Sequence, residues 1–109
     1  MPAVSKDALK GMRKQVKLQW KIHLRSEMSL DILAEMYNPV IRGWIQYYGK
    51  FYKTELSSLA NYINIKLVRW ARRKYKSLKI HKQKAYDWLV RIYKDNPTLF
   101  EYWKLFKVC

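Results

Sequence analysis

The chain is 109 residues long, half of them hydrophobic and 16% aromatic, with a formal net charge of +15. That length fits one domain, and five Trp with nine Tyr exclude a disordered basic tail, which is poor in large aromatics. No apolar run approaches the roughly 20 residues needed to span a bilayer, and residues 1–10 lack the apolar stretch of a secretory signal.

A charge of this size opposes compaction and points to a partner of opposite sign. Nucleic acid leads, because neutralised phosphates release counterions and drive binding; an anionic membrane surface is the rival. The single cysteine, Cys109, forms no internal disulfide and has no zinc spacing around it, which is compatible with a reducing, cytoplasmic compartment.

Three Gly and three Pro leave few breakers, and the apolar spacing is helical almost throughout. Ser5 predicts an N-cap with Asp7 in the first turn. The helix it opens has Ala8, Leu9, Met12, Val16 and Trp20 at core spacing. Lys10, Arg13, Lys14, Lys17 and Lys21 fall together on the other side as a basic stripe. A short second helix is expected from Leu30 to Tyr37, capped by Ser29. Asn38-Pro39 then reads as a cap followed by proline at the first helical position. It starts a third helix, to about Tyr52, with Ile41, Trp44, Ile45, Tyr48, Phe51 and Tyr52 inward and Gly49 distorting the last turn.

The fourth and longest helix is expected from near Glu55 to about Lys76. Its core face is Leu56, Leu59, Ala60, Ile63, Leu67, Trp70 and Ala71, and Lys66, Arg69, Arg72, Arg73 and Lys76 make a second basic stripe. Ile65, Val68 and Tyr75 fit neither face and imply a further apolar contact, inside the domain or with a neighbour. A fifth helix around Lys82 to Lys94 buries Ala85, Trp88, Leu89 and Ile92. Asn96-Pro97 repeats the cap-plus-proline signal and predicts a last short helix over Thr98 to Phe106. The expected fold class is all-α, a bundle of about five to six helices forming a single domain over residues 1–109.

Between Glu55 and Asp87 the chain has no acidic residue but nine Lys or Arg. Such a block is often only a solvated face, but two rigid basic stripes on one small domain can track a phosphate backbone. Aromatics interleave with the charges, as on surfaces that grip single-stranded or looped RNA. Trp44, Tyr48, Phe51, Trp70 and Trp88 sit at core spacing. Tyr47 and Tyr75 lie off it and are the stacking candidates, with simple packing as the alternative. Gly43 sits mid-helix, where glycine costs about 1 kcal/mol relative to alanine, and implies a close approach, by a neighbouring helix sooner than by RNA.

Catalytic constellations are missing. Asp31 and Glu35 share a helix face as a like-charge pair of the usual exposed kind. His23 and His81 are far apart, with no cysteine or carboxylate at ligand spacing, so no metal site is expected. There is no Gly-rich phosphate loop, and no cofactor is implied.

Two stretches resemble a known family. Asn38-Pro39-Val40-Ile41-Arg42-Gly43-Trp44-Ile45-Gln46-Tyr47-Tyr48 resembles the hallmark of the group II intron maturase-specific domain, or domain X: Asn-Pro, two apolar residues, Arg-Gly-Trp and an aromatic pair. Val68-Arg69-Trp70-Ala71-Arg72-Arg73-Lys74 resembles its second hallmark, an Arg-Trp followed by a basic cluster. The likeness runs from the Ser5 helix to Tyr102-Trp103 and departs from the pattern at Gln46, where Asn is expected.

The resemblance implies the thumb of a reverse transcriptase encoded within a group II intron, which binds the intron RNA so that it splices. It also implies a fragment of that larger protein, since the paired-aspartate polymerase motif and the Cys-rich HNH endonuclease are absent. Carried over residue by residue, it marks Arg42, Arg69, Arg72 and Arg73 as RNA-binding. The stripes add Arg13, Lys14, Lys17 and Lys76. The implied partners are group II intron RNA, a template–primer and the fingers–palm polymerase domain of a parent chain, with no membrane and no catalysis by this segment. Two other classes stay open. One is a DNA-binding domain of a mobile-element protein, although the basic helix has few Asn or Gln for base readout. The other is a protein-interaction module whose apolar outliers dock on a polymerase.

Overall fold

The computed structural model describes residues 5–108. The side chains of Ser5 and Asp7, and the whole of Cys109, lie outside the described residues, and so do the roles expected of them. Helix α1 spans Ser5–Gln15 and runs on into a π-helical turn, Val16–Trp20. Met12, Val16 and Trp20 are buried along one side, while Lys10, Arg13, Lys14, Lys17 and Lys21 are exposed. Lys21 has φ 45°, the one positive φ among the described non-glycine residues. That left-handed geometry costs an L-residue about 1–2 kcal/mol, and the surroundings over-determine it. The Trp20 carbonyl accepts from Arg25 Nε at 2.6 Å and from the Tyr37 hydroxyl at 3.1 Å. The Trp20 ring also stacks on Tyr37 at 4.1 Å and on Trp44 at 5.4 Å.

The chain thus bends into a 3-10 turn, Ile22–Leu24, with Ile22 buried. An irregular stretch near a core must place its carbonyls on side-chain donors. Here Trp70 Nε1 donates to the Arg25 carbonyl at 2.8 Å, and Lys74 Nζ donates to those of Ser26 and Met28 at 2.7 and 3.2 Å.

Helix α2 spans Leu30–Tyr48 without a break. Ser29 caps it as expected, its Oγ accepting from the Ile32 N–H at 3.3 Å. The two helices expected on either side of Asn38-Pro39 are therefore one, with Pro39 inside it. An interior proline forfeits a backbone hydrogen bond, a loss of about 3 kcal/mol. The buried face of Leu33, Ala34 and Tyr37 before it and Ile41 after it holds the helix through the defect. Asn38 is not a cap because its side chain is engaged elsewhere. Its Nδ2 donates to the Leu99 carbonyl at 2.9 Å, and its Oδ1 accepts from the Glu101 N–H at 3.0 Å.

The helix ends four residues earlier than expected. The Gly49 N–H closes it on the Ile45 carbonyl at 2.8 Å, and a Cβ at Gly49 would collide with that oxygen. Phe51, expected inward, follows in the turn and is 70% exposed.

Helix α3, Lys53–Lys74, is the hub of the bundle, packed by α1, the Ile22–Leu24 turn, α2 and the last two helices. Leu56, Leu59, Ala60, Ile63, Leu67, Trp70 and Ala71 are buried as the spacing required. Val68 is buried too, so its expected second contact lies inside the domain, whereas Ile65 stays exposed. Buried Asn64 accepts at Oδ1 from the Tyr102 hydroxyl and from Trp103 Nε1. Burial holds the Tyr102 hydroxyl well above its ordinary range, which keeps it a donor. α3 stops at Lys74 and not at Lys76, because the backbone of Tyr75 turns extended (φ −112°, ψ 119°). A short helix α4, Lys76–Lys79, follows, and α5 spans Lys82–Asp95 with Ala85 and Leu89 buried.

The last helix expected over Thr98 to Phe106 is only a 3-10 turn, Glu101–Lys104. The Leu99 carbonyl and the Glu101 N–H, which a helix would use internally, are bonded to Asn38.

Candidate nucleic-acid interface

On α3, Tyr62, Lys66, Arg69 and Arg73 follow one another at steps of four, three and four. They form a row about 16 Å long on one side of the helix. α1 joins this row from the side. Arg13 Nη2 donates to Ser58 Oγ at 2.6 Å, and its guanidinium lies 5.3 Å from the centre of the Tyr62 ring. The Lys66 ammonium lies 5.1 Å from the same ring, so Tyr62 gathers one cation from each helix. Lys66, expected as an exposed member of the stripe, is 7% exposed. A lysine can bury its aliphatic stem while its charged end finds a partner, and here the ammonium finds the Tyr62 ring.

The row ends in an open cleft of about 440 Å³ lined by His23, Arg69, Arg72, Arg73 and Lys79. His23 arrives there on the turn that Lys21 bends against α3, and Lys79 arrives on α4. Arg72 is half-buried, its Nη2 donating to the Lys79 carbonyl at 2.9 Å and holding α4 to the end of α3. Arg69 and Arg73 are exposed. Burial, followed by the charges of Arg69, Lys66, Arg73 and Lys21, holds the His23 imidazole below its ordinary value. Two buried nitrogens of residues that line the cleft, His23 Nδ1 and Arg72 Nε, have no hydrogen-bond partner among the described residues. Among the described residues no carboxylate lines the wall.

The other residues marked in the sequence are placed as follows. Lys14 and Lys17 are exposed on α1 and its π-helical turn, and Lys76 is exposed at the start of α4, beyond the break in α3. Arg42 is already engaged. Its Nε and Nη2 both donate to Glu101 Oε1, at 3.1 and 2.6 Å, while Lys104 pairs with Oε2 at 3.0 Å. These bonds hold the Glu101 carboxyl below the usual range, and the two pairs are the only ion pairs among the described residues. Tyr47 is 78% exposed beside Tyr48. Tyr75 is 39% exposed and packs edge-on against Trp70, with Trp88 5.7 Å away. Among the described residues nothing lies within 4 Å of where a Cβ at Gly43 would stand, so no described helix makes the close approach expected there.

His23 and Lys79 are the residues that sequence reasoning left out. Lys79 belonged to the one-sign block, but nothing local ties His23 to α3; only the bend at Lys21 brings it there. Among the described residues, no group of three His, Cys, Asp or Glu could hold a metal ion, and no helix is long and apolar enough to cross a membrane.

Fold and site together define a small all-α basic domain whose charged face is built on α1 and α3. A family model described as "Group II intron, maturase-specific domain" matches residues 9–96, and the chain belongs to that family. The match takes in both motifs and ends at Asn96, short of Tyr102-Trp103, to which the resemblance had been extended. No curated protein and no solved structure matches the chain.

Proposed function

We propose that this domain binds folded group II intron RNA through backbone phosphates on the α1–α3 face and so supports splicing, the chemistry of which belongs to the RNA. The reading is carried by unbalanced charge. Arg69, Arg72, Arg73 and Lys79 converge on one cleft with no carboxylate among its described lining residues, in a chain of net charge +15 from a maturase-specific family. Arg13, Lys14 and Lys17 supply the α1 edge of the surface, and Lys76 extends the other end. Contacts of this kind fix position without reading sequence. Arg42 serves the fold through Glu101. The segment catalyses nothing.

In a parent reverse transcriptase the same face grips the template–primer. The exposed row Ile32, Met36 and Tyr47 on α2, with open Gly43 between, docks on the fingers–palm domain. The test is a salt-series titration of purified protein against a group II intron RNA. Each phosphate neutralised contributes about 0.7 to 0.9 to the slope of log affinity against log salt, so a slope of several is expected. A slope near zero contradicts the reading.

A further inference from the structure

We propose that the cleft between the Lys21–Leu24 turn and the last turns of α3 seats one backbone phosphate of the RNA, and that binding there is coupled to protonation of His23. The inference rests on the RNA-binding reading and adds to it a named seat and a proton. The charges that act on the imidazole are all cationic. Lys21 approaches from its own turn, Lys66, Arg69 and Arg73 from α3, and Arg72 and Lys79 complete the wall from the end of α3 and from α4. Among the described residues no acid lines it.

Buried polar atoms are satisfied as a rule, and each exception asks for a cause. Here two exceptions, His23 Nδ1 and Arg72 Nε, lie beneath the surface on two residues that line the same cleft. A cleft that gathers this many cations around a weak base, with no carboxylate among its described lining residues, is organised for an anion. The arrangement also fixes the sign of the proton linkage. In the free protein the surrounding cations and burial oppose a charge on His23. A phosphate screens those cations and adds an opposite charge beside the ring, so the protonated form becomes favoured. Binding therefore takes up a proton, and RNA affinity rises as the pH falls through the range between the free and bound values of His23. The gain is at most about tenfold per pH unit.

His23 and His81 are the only histidines in the chain, and His81 does not line the cleft. The imidazole resonances of the full chain can thus be followed by NMR against pH in three states: alone, saturated with a stem-loop RNA, and in inorganic phosphate. RNA binding is measured in parallel by fluorescence anisotropy. The expected result is a His23 titration displaced upward by RNA, by about one unit or more, and displaced in the same direction by inorganic phosphate. An RNA affinity that increases on acidification should lose that increase in His23→Gln.

Binding of RNA with an unmoved His23 titration overturns the seat and leaves the RNA-binding reading standing. A response to inorganic phosphate but not to bound RNA makes the cleft a small-anion site and overturns the proposal as well. Failure to bind RNA at all removes both. Because the NMR arm uses the unaltered chain, the outcome does not depend on the variant folding.

Discussion

Two arginine-bearing corners of this molecule, each inside a family motif, are built in opposite ways. At the α2 corner, Arg42 places two nitrogens on one oxygen of Glu101, Lys104 takes the other oxygen, and Asn38 bonds the neighbouring backbone. Two cations share one carboxylate, and a long helix is fastened to the C-terminal segment. At the end of α3, Arg69 and Arg73 stand exposed beside Arg72, Lys79 and His23 with no acid between them among the described residues. That corner is destabilised by its own charge unless something anionic arrives. A guanidinium in a motif is a binding group or a clamp according to its partner, and the partner is visible only in three dimensions.

Several measurements sharpen this contrast. The largest effect is expected from Trp70→Ala, which removes a fully buried ring and its bond to the Arg25 carbonyl. It should cost about 3–5 kcal/mol, enough to lower the melting temperature steeply. Both corners should unfold together, because α3 underlies the whole bundle. Trp44, half-buried and held by stacking on Trp20, should give a smaller loss, about 2 kcal/mol, when changed to Ala.

Next is Asn38→Ala, which strips two hydrogen bonds from the α2 corner. About 1–3 kcal/mol should be lost in a denaturant melt, with RNA affinity unchanged wherever the protein remains folded.

The pH profile of stability separates the corners by window. His23 has a folded value below its unfolded one, so the unfolded chain binds the extra proton. That part of stability is complete above about pH 6.5 and declines as the pH falls below it. Glu101 is likewise depressed, and its contribution is present above about pH 4.5 and lost on further acidification. Melts against pH should show His23→Gln flattening the upper window and Arg42→Gln the lower. In itself Arg42→Gln should cost no more than about 1 kcal/mol, since the pair is largely exposed on the arginine side.

Much of this was legible in the chain. The α3 core face and the α1 stripe follow from three-and-four spacing alone, and the motif around Trp44 pointed to the right family. The misreadings have physical causes. Asn38-Pro39 looked like a helix start because its local chemistry is that of a cap. Tertiary bonds to Leu99 and Glu101 redirected the asparagine, and buried neighbours carried the helix through the proline. Lys66 looked exposed because periodicity ignores the length of a lysine stem. The cleft was only half visible: its arginines lie in one run of sequence, while His23 reaches them through a left-handed residue that no pattern marks.

The most direct test of the contrast is a salt-series titration of one structured intron RNA against three proteins: the parent, Arg42→Gln, and Arg69→Gln combined with Arg73→Gln. Arg72 is left in place because it also ties α4 to α3. All three should fold, exposed changes usually staying within about 0.5 kcal/mol each. The double variant should bind more weakly, its slope of log affinity against log salt shallower by about 1.4 to 1.8, while Arg42→Gln keeps the parent's slope. A double variant that retains the parent's affinity and slope, or an Arg42→Gln protein that loses as much, would contradict the assignment of the RNA surface to the end of α3.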